Sequence, residues 1–392
     1  MLTALVRQEC SECGRESTEP PPRTVSTCCR APIVSRYDLA RVRQAGASAR
    51  AAGVRGVWRF RALLPLPDGA EPVTLGEGGT PLLRAKGLAT WTGIPRLYVK
   101  DESANPTGSF KDRGLTVAVS LARAAGAPGI VLPTAGNAGA AAAAYGARAG
   151  LPVSVHAPEA TPGEILAETR ARGARLTLHA GTIADAGRAA AEEAQRTGFL
   201  SVATFKEPGR VEGKKTMAYE LLDDLPRPPD AIVYPCGGGT GIVAMAQAFE
   251  EAAAVGWMAP PLPRLFAVQA SGCAPIVRAL REGKERASAW TDPSTFAAGL
   301  CVPSPFADRL ILRALRATGG GALEVGEDEI VEAGRRAARL DGILPCPEGA
   351  AALAGAKRLR EAGLIGEDES VVVFQTGSAL KYLNAWGSRL GV

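Results

Sequence analysis

Ser103-Ala104-Asn105-Pro106-Thr107-Gly108-Ser109-Phe110-Lys111-Asp112-Arg113-Gly114 stands between a strand-like run, Arg96-Leu97-Tyr98-Val99-Lys100, and an apolar-periodic segment that reads as a helix to about Gly126. Asn-Pro and Thr-Gly are turn dipeptides, and Ser109 is a natural N-cap. Lys111 therefore falls in the first helical turn, directly after an aromatic residue. Unpaired backbone N–H groups and the positive end of the helix dipole surround it there. Both influences disfavour the ammonium form, so the position suits a neutral amine able to condense with an aldehyde. A plainer reading stays open on this stretch alone: a solvated helix-terminal lysine with Asp112 as its dipole partner.

Length and composition narrow the field. The 392 residues are enough for two ordinary domains. A formal net charge of +5, with no basic run and no basic–aromatic interleaving, argues against a nucleic-acid partner. No apolar stretch is long enough to span a bilayer, and Met1-Leu2-Thr3-Ala4 lacks the order of a signal peptide. The expectation is a cytoplasmic protein without membrane contact. His156 and His179 are the only histidines, and neither stands beside a nucleophile signature, so a hydrolytic triad is not expected. No metalloprotease motif or paired-carboxylate metal site is visible.

The eight cysteines fall into two groups. Cys236, Cys273, Cys301 and Cys346 are scattered and read as buried thiols. Cys10, Cys13, Cys28 and Cys29 belong to a Cys-rich, zinc-ribbon-like arm over residues 1–45. Cys10-x-x-Cys13 looks like one zinc knuckle, but the second pair, Cys28-Cys29, is adjacent rather than two residues apart. Adjacent cysteines aim their sulfurs differently, so a closed tetrahedral zinc site is strained, and a metal-free arm competes with it. Between the pairs, Glu19-Pro20-Pro21-Pro22-Arg23 reads as a stiff, extended loop.

From Leu97 onward strands and helices alternate. Ile130-Val131-Leu132, Val153-Ser154-Val155 and Leu176-Thr177-Leu178 read as strands, with helices near 137–149, 163–172 and 183–197. A second run contains Ala231-Ile232-Val233-Tyr234, Leu265-Phe266-Ala267-Val268 and Val371-Val372-Val373-Phe374. Short strands spaced by helices indicate parallel sheets covered on both faces. The expected fold class is α/β, with two parallel-sheet domains and a cleft between them. The larger domain is assigned residues 46–105 and 205–392, the smaller 106–204. Ligands of such sheets sit beyond the carboxyl ends of strands, and Lys111 follows one.

Three further turns share that position. Pro235-Cys236-Gly237-Gly238-Gly239-Thr240-Gly241 joins a strand to a helix, and its glycines let successive N–H groups converge on an anion. A P-loop would need Gly-Lys-Ser/Thr, where Ile242-Val243 stand. A dinucleotide fold would need an acidic residue where the next strand ends in Gln269. A compact phosphate monoester fits best. In Pro133-Thr134-Ala135-Gly136-Asn137-Ala138-Gly139, Asn137 offers its amide to a ligand oxygen or caps the helix, and in isolation the cap is favoured. In Phe374-Gln375-Thr376-Gly377-Ser378, a hydroxyl suits a pyridine nitrogen, although turn chemistry explains the same residues. Ahead of them all, Leu75-Gly76-Glu77-Gly78-Gly79-Thr80-Pro81-Leu82 supplies backbone able to approach a ligand closely. A Schiff-base lysine, a phosphate cradle, an amide for a phenolic oxygen and a hydroxyl for a ring nitrogen together describe pyridoxal phosphate.

Ser109-Phe110-Lys111-Asp112-Arg113-Gly114, preceded by Glu77-Gly78-Gly79-Thr80-Pro81-Leu82, resembles the threonine synthases, a branch of the tryptophan-synthase-β-like (fold type II) pyridoxal phosphate family. The likeness runs from the Cys-rich arm through Pro347-Glu348-Gly349-Ala350-Ala351 to Thr376-Gly377-Ser378-Ala379-Leu380-Lys381. It implies that Lys111 holds the cofactor and then shuttles protons. By the same likeness Phe110 lies by the ring, Asn137 contacts the 3′ oxygen, Gly237, Gly238, Gly239, Thr240 and Gly241 cradle the phosphate, and Thr376 faces the ring nitrogen. Substrate contacts are carried over to Thr134, Gly136, Asn137 and Arg210. The implied reaction turns O-phosphohomoserine and water into threonine and phosphate, in a homodimer.

Three positions depart from the family pattern. Ala135 and Ala138 flank Gly136-Asn137 where hydroxyl residues are more usual, Glu207-Pro208 stands where Asn-Pro is common, and Ser26 occupies the place of a third cysteine. Glu207 would repel a substrate phosphate if it faced the site. The competing reading keeps the cofactor and changes the reaction, to a serine/threonine dehydratase or a β- or γ-replacement enzyme. A non-catalytic sensor is a third reading, opposed by the intact Lys111 and cradle.

Overall fold

Apolar strands alternating with helices build two parallel sheets, each in its own unit. The computed structural model of the protein describes residues 2–18 and 24–390. Glu19-Pro20-Pro21-Pro22-Arg23, expected to form a stiff loop, lie outside the described residues. One unit comprises the chain up to Gly79, Asn105–Thr216 and Ala254–Gly256; the other comprises Thr80–Ala104, Met217–Ala253 and the chain from Trp257. Among the described residues no helix is long and apolar enough to cross a membrane.

In the first unit four parallel strands run in the order Arg175–His179, Val153–Pro158, Ile130–Pro133, Leu200–Ser201. Val153–Pro158 is buried at every position, as befits a strand covered on both faces. Leu115, Val119, Ile130, Leu132, Tyr145 and Val155 share the core beneath them. The chain steps outward from Ile130–Pro133 through two strands, and Leu200–Ser201 then returns on its other side. The order therefore reverses at the carboxyl end of Ile130–Pro133, the switch point where such sheets bind ligands. Thr134 to Asn137 follow directly.

The N-terminal arm joins this unit as an antiparallel hairpin, Leu5–Cys10 with Ile33–Tyr37. Residues 46–79, assigned from sequence to the larger domain, also belong here. The reason is a set of buried polar contacts: Trp58 Nε1 donates to Thr116 Oγ1 at 2.9 Å and to Glu77 Oε1 at 3.1 Å, and the Val73 N–H to Ser120 Oγ at 2.8 Å. Glu77, 1% exposed, also accepts from Tyr145 Oη at 2.8 Å. Buried donors without such partners would cost about 1–3 kcal/mol each.

The second unit holds a six-stranded sheet in the order Gly321–Val325, Arg264–Ala270, Ala231–Pro235, Ser370–Gln375, Arg96–Asp101, Leu82–Arg84. All neighbours are parallel except Leu82–Arg84, which lies antiparallel at the edge. From Ala231–Pro235 the chain runs to one side, and Ser370–Gln375 returns on the other. This second reversal lies at the carboxyl end of Ala231–Pro235, where Gly237–Gly241 begin. Thr376 leaves the adjacent strand at the same end.

Candidate active site

Lys111 opens the helix Lys111–Ala124. Phe110 occupies the cap position, one residue beyond the expected Ser109, whose Oγ meets the Lys111 N–H at 3.4 Å. The turn ahead is held by Asp112, which is fully buried and accepts the Thr107 N–H at 2.6 Å together with the Thr107 hydroxyl. Its carboxylate thus folds back over the turn. Asn105 Oδ1 accepts the Gly78 N–H at 2.9 Å, tying the Glu77-Gly78-Gly79 loop to the same turn. Lys111 Nζ lies 3.9 Å from the centroid of the Phe110 ring.

The helix Gly209–Asp224 crosses the Lys111 helix with almost nothing between the backbones. A Cβ on Gly213 would stand 1.8 Å from the Arg113 carbonyl oxygen, and one on Gly114 would stand 2.7 Å from the Arg210 carbonyl oxygen. Only glycine permits that approach. Arg113 Nη1 donates across it to Thr216 Oγ1 at 3.0 Å. Glu207 is 4% exposed and accepts the Gly209 and Arg210 N–H groups at 2.6 and 2.8 Å. It satisfies the first orphan donors of this helix. Burial pushes the Glu207 carboxyl up to about 7, against the Arg210 charge and the two N–H donors. Burial also draws the Arg210 guanidinium down, to about 10, which leaves it cationic at neutral pH. Arg210 Nη1 donates to the Val202 carbonyl at 3.0 Å, whereas its buried Nε has no partner among the described residues.

Asn137 is the first residue of the helix Asn137–Ala149; Gly136 holds the cap position, and no side chain caps this helix. The expected Asn137 cap is therefore not formed. Thr134 Oγ1 closes the turn, accepting the Gly136 N–H at 3.0 Å and donating to its carbonyl at 2.9 Å. Thr134 and Asn137 are both buried.

In the second unit, Gly237, Gly238 and Gly239 lie between the strand Ala231–Pro235 and the helix Thr240–Ala254. Among the described residues, their backbone N–H groups donate to no protein acceptor. A Cβ on Gly237 would meet the Gly299 carbonyl oxygen at 2.1 Å, and Gly239 has φ +77°. The turn is thus bare backbone at the positive end of a helix, a set of donors that calls for an anion. Thr376 is 5% exposed, with Cys346 Sγ 3.6 Å from its hydroxyl. Sequence reasoning passed over Glu348 as a site residue. It is 5% exposed, accepts the Gly299 N–H at 2.7 Å through Oε1, and keeps a buried Oε2 that has no partner among the described residues. A glutamate after a proline at a helix start reads as an ordinary dipole partner, so Pro347-Glu348-Gly349 marked the family likeness without pointing to Glu348 itself.

The arm brings its four cysteines together: their sulfurs all lie within 4.8 Å of one another, with Cys13 and Cys28 3.4 Å apart. Adjacency of Cys28 and Cys29 does not keep the sulfurs from converging. The Glu12 N–H points at Cys10 Sγ from 3.4 Å. Burial opposes ionisation of Cys10, but hydrogen bonds from Ser26, Cys13 and Glu12 bring its thiol down to about 6. Cys29, pressed chiefly by Cys13, is pushed up to about 12.

A family model of the pyridoxal-phosphate dependent enzymes matches residues 73–377, and the chain belongs to that family. Threonine synthase of Methanosarcina acetivorans is 36% identical over 95% of this chain and 91% of its own length. The threonine synthase of Methanocaldococcus jannaschii is 35% identical over 95% and 92%, and that of Mycobacterium tuberculosis 35% over 84% and 88%. Among solved structures, processed threonine deaminase isoform 2 from Solanum lycopersicum superposes with a TM-score of 0.67 at 26% identity, covering 80% of this chain and 88% of that one. Maize serine racemase superposes with a TM-score of 0.66 at 22% identity, over 76% and 87%, a likeness of fold. The residues present fit the family's cofactor: a lysine at a helix start can condense with its aldehyde, and three unclaimed N–H groups suit its phosphate.

Proposed function

We propose that the chain is a threonine synthase, converting O-phosphohomoserine and water to L-threonine and phosphate. The observation that carries the reading is the pair of threonine synthases matched at 36% and 35% identity across 95% of the chain. Pyridoxal phosphate, when bound, supplies an electron sink for the carbon bearing the amine. Lys111 holds it and then takes and returns protons at the substrate carbons. Phe110 flanks the ring, Asn137 supports its 3′ oxygen, Gly237 to Gly241 hold its phosphate, and the Thr376 hydroxyl meets the ring nitrogen. Thr134, Gly136 and Asn137 receive the substrate carboxylate. Arg210 contacts the substrate phosphate, a role supported by its retained charge and unpartnered Nε. In the net reaction the α and β carbons give up protons, the γ C–O bond breaks with its electron pair leaving on phosphate, and the γ carbon is protonated. Hydroxide from water then adds at the β carbon, and the α proton is returned.

Phosphate release from O-phosphohomoserine, with threonine quantified in parallel, tests this directly. Equal amounts of both, abolished in Lys111→Ala, are expected. Ala135 and Ala138, which carry no hydroxyl beside Asn137, favour a second reading, a dehydratase or replacement enzyme on another amino acid. Phosphate without threonine, or no turnover by a cofactor-loaded protein, would favour it.

The arm is proposed to hold structural zinc on Cys10, Cys13, Cys28 and Cys29. Zn–S bonds of about 2.3 Å place tetrahedral sulfurs about 3.8 Å apart, and four sulfurs within 4.8 Å come close to that. Metal analysis of the purified protein should find about one zinc per chain, lost in Cys13→Ser. A homodimer and a cytoplasmic location are carried over from the sequence reading; light scattering and cell fractionation test them.

A further inference from the structure

Cys301 follows the short helical turn Ala298–Leu300, and its near neighbours in the chain wall the glycine cradle. A Cβ on Gly237 would stand 2.1 Å from the Gly299 carbonyl oxygen and 3.0 Å from Val302 Cγ2. The Cys301 thiol hydrogen-bonds to that of Cys273. We propose that Cys273 and Cys301 form a reversible disulfide, a modification site through which thiol oxidation loosens the hold of the Gly237 turn on a phosphate. The effect on binding, though not the disulfide itself, rests on that turn holding the cofactor's phosphate.

The two cysteines are anchored differently. Cys273 closes a tight turn after the strand Arg264–Ala270, its N–H donating to the Ala270 carbonyl at 2.8 Å. Gln269 ties that turn to the start of the cradle. Its Nε2 donates to the Cys236 carbonyl at 3.0 Å, and its Oε1 accepts the Ile276 and Val277 N–H groups at 2.9 and 3.2 Å. Cys301 lies in the long connection from the helix Pro275–Arg281 to the helix Asp308–Ala317, where Ala298–Leu300 is the only regular element among the described residues. A covalent bond between sulfurs is shorter than a hydrogen-bonded contact, so oxidation draws the Cys301 segment towards the anchored turn. Gly299 and Val302 shift with it, against Gly237. N–H groups set to converge on an anion lose affinity when they are displaced.

Exposure and acidity divide the chemical roles. Cys301 is half-buried, whereas Cys273 is fully buried. The hydrogen bond from Cys273 brings the Cys301 thiol down to about 7, against burial; the same contact, with burial, pushes Cys273 up. Cys301 is therefore the thiolate that meets a reagent from solvent. It attacks one sulfur of a dialkyl disulfide such as oxidised glutathione, breaking the S–S bond, releasing one thiolate and leaving a mixed disulfide. Capping Cys301 removes the charge that opposed ionisation of Cys273. Cys273 gives its proton to the released thiolate, attacks the Cys301 sulfur and expels the second thiolate. Two electrons thus pass from the protein to the reagent. Cys236 and Cys346 are buried, and burial pushes both thiols up, so neither competes.

The test treats the full chain, stripped of cofactor, with oxidised glutathione at neutral pH, and peptide mass mapping reads every cross-link. A Cys273–Cys301 peptide pair that dithiothreitol cleaves is expected. Fluorescence titration with pyridoxal phosphate should then give a Kd roughly tenfold above that of the reduced protein. In Cys301→Ser the Kd should be the same before and after oxidation, which separates this pair from reaction at Cys10, Cys13, Cys28 and Cys29. Glutathione retained on Cys301 with no bond to Cys273 overturns the proposal. So does the cross-link with an unchanged Kd, or an equal loss of affinity on oxidising Cys301→Ser. A reduced protein that takes up no pyridoxal phosphate overturns the cofactor reading and the binding half of this inference with it; the mapped cross-link, read without cofactor, still decides the disulfide.

Discussion

Gly213 and Arg113 meet backbone to backbone: a Cβ on Gly213 would stand 1.8 Å from the Arg113 carbonyl oxygen. The helices bearing Lys111 and Arg210 are thereby set at a separation that no side chain can enter. Carbonyl oxygens cannot swing aside as a long side chain can, so an added methyl must part the helices. Gly213→Ala should cost about 1–3 kcal/mol of stability and lower turnover, measured by urea unfolding and by threonine formation. Stability and turnover both at wild-type values would refute the close crossing.

Gly237 faces a similar limit, with the Gly299 carbonyl oxygen 2.1 Å from where its Cβ would lie. Gly237→Ala should displace the cradle and weaken pyridoxal phosphate binding by about tenfold or more, an energy of about 1.4 kcal/mol or greater. Fluorescence titration of the apoprotein with cofactor reads the change.

Glu207 titrates against the fold. Burial raises its native pKa to about 7 from an ordinary value of 4.5, so the native state holds its proton after the unfolded chain has lost it. Its contribution to stability is fully present below the unfolded pKa and is lost as pH rises through about 7. Each unit of that rise is worth about 1.4 kcal/mol. Glu207→Gln loses one N–H acceptor at every pH but lacks the slope. The deficit of the variant, measured by urea unfolding at pH 5 and pH 8, should shrink as pH rises; a constant deficit would show Glu207 ionised throughout.

Tyr37 ends the arm's second strand and donates its hydroxyl to Glu212 at 2.7 Å, while Lys215 pairs with the same carboxylate at 2.7 Å and lies over the Tyr37 ring at 4.3 Å. The hairpin thus braces the Arg210 helix. Tyr37→Phe removes a buried hydrogen bond to a charged group and should cost about 1.5–3 kcal/mol, read as a lower denaturation midpoint with the far-UV spectrum unchanged. No change in midpoint would show the contact to be idle.

Much of this architecture was legible locally. The helices expected near 137–149, 163–172 and 183–197 appear as Asn137–Ala149, Gly163–Ala171 and Ile183–Thr197. Their periodicity and flanking glycines are properties of neighbouring residues, and so are the two Gly-rich strand–helix turns. Leu82–Arg84 and Gly321–Val325 escaped notice because they are short, partly exposed edge strands with no clean alternation. The place of residues 46–79 was not legible, because Trp58 and Glu77 bond to Thr116 and Tyr145, dozens of residues downstream. Ser109 was read as a cap one residue too early, within the usual uncertainty of helix ends.

The amino-acid sequence by itself determined the α/β class, a lysine at a helix start, and glycine turns at strand ends, because each follows from the order of adjacent residues. It also carried the family, through the segment around Lys111. Tertiary structure alone decided what those residues face. It turned Glu207 onto its own helix, left the Asn137 side chain out of capping, gathered the four cysteine sulfurs within 4.8 Å, and brought Lys214 to the ring that Lys111 touches. Those outcomes depend on how helices cross and loops close, and at Gly114 and Gly213 the distance of approach is set by atoms about a hundred residues apart in the chain.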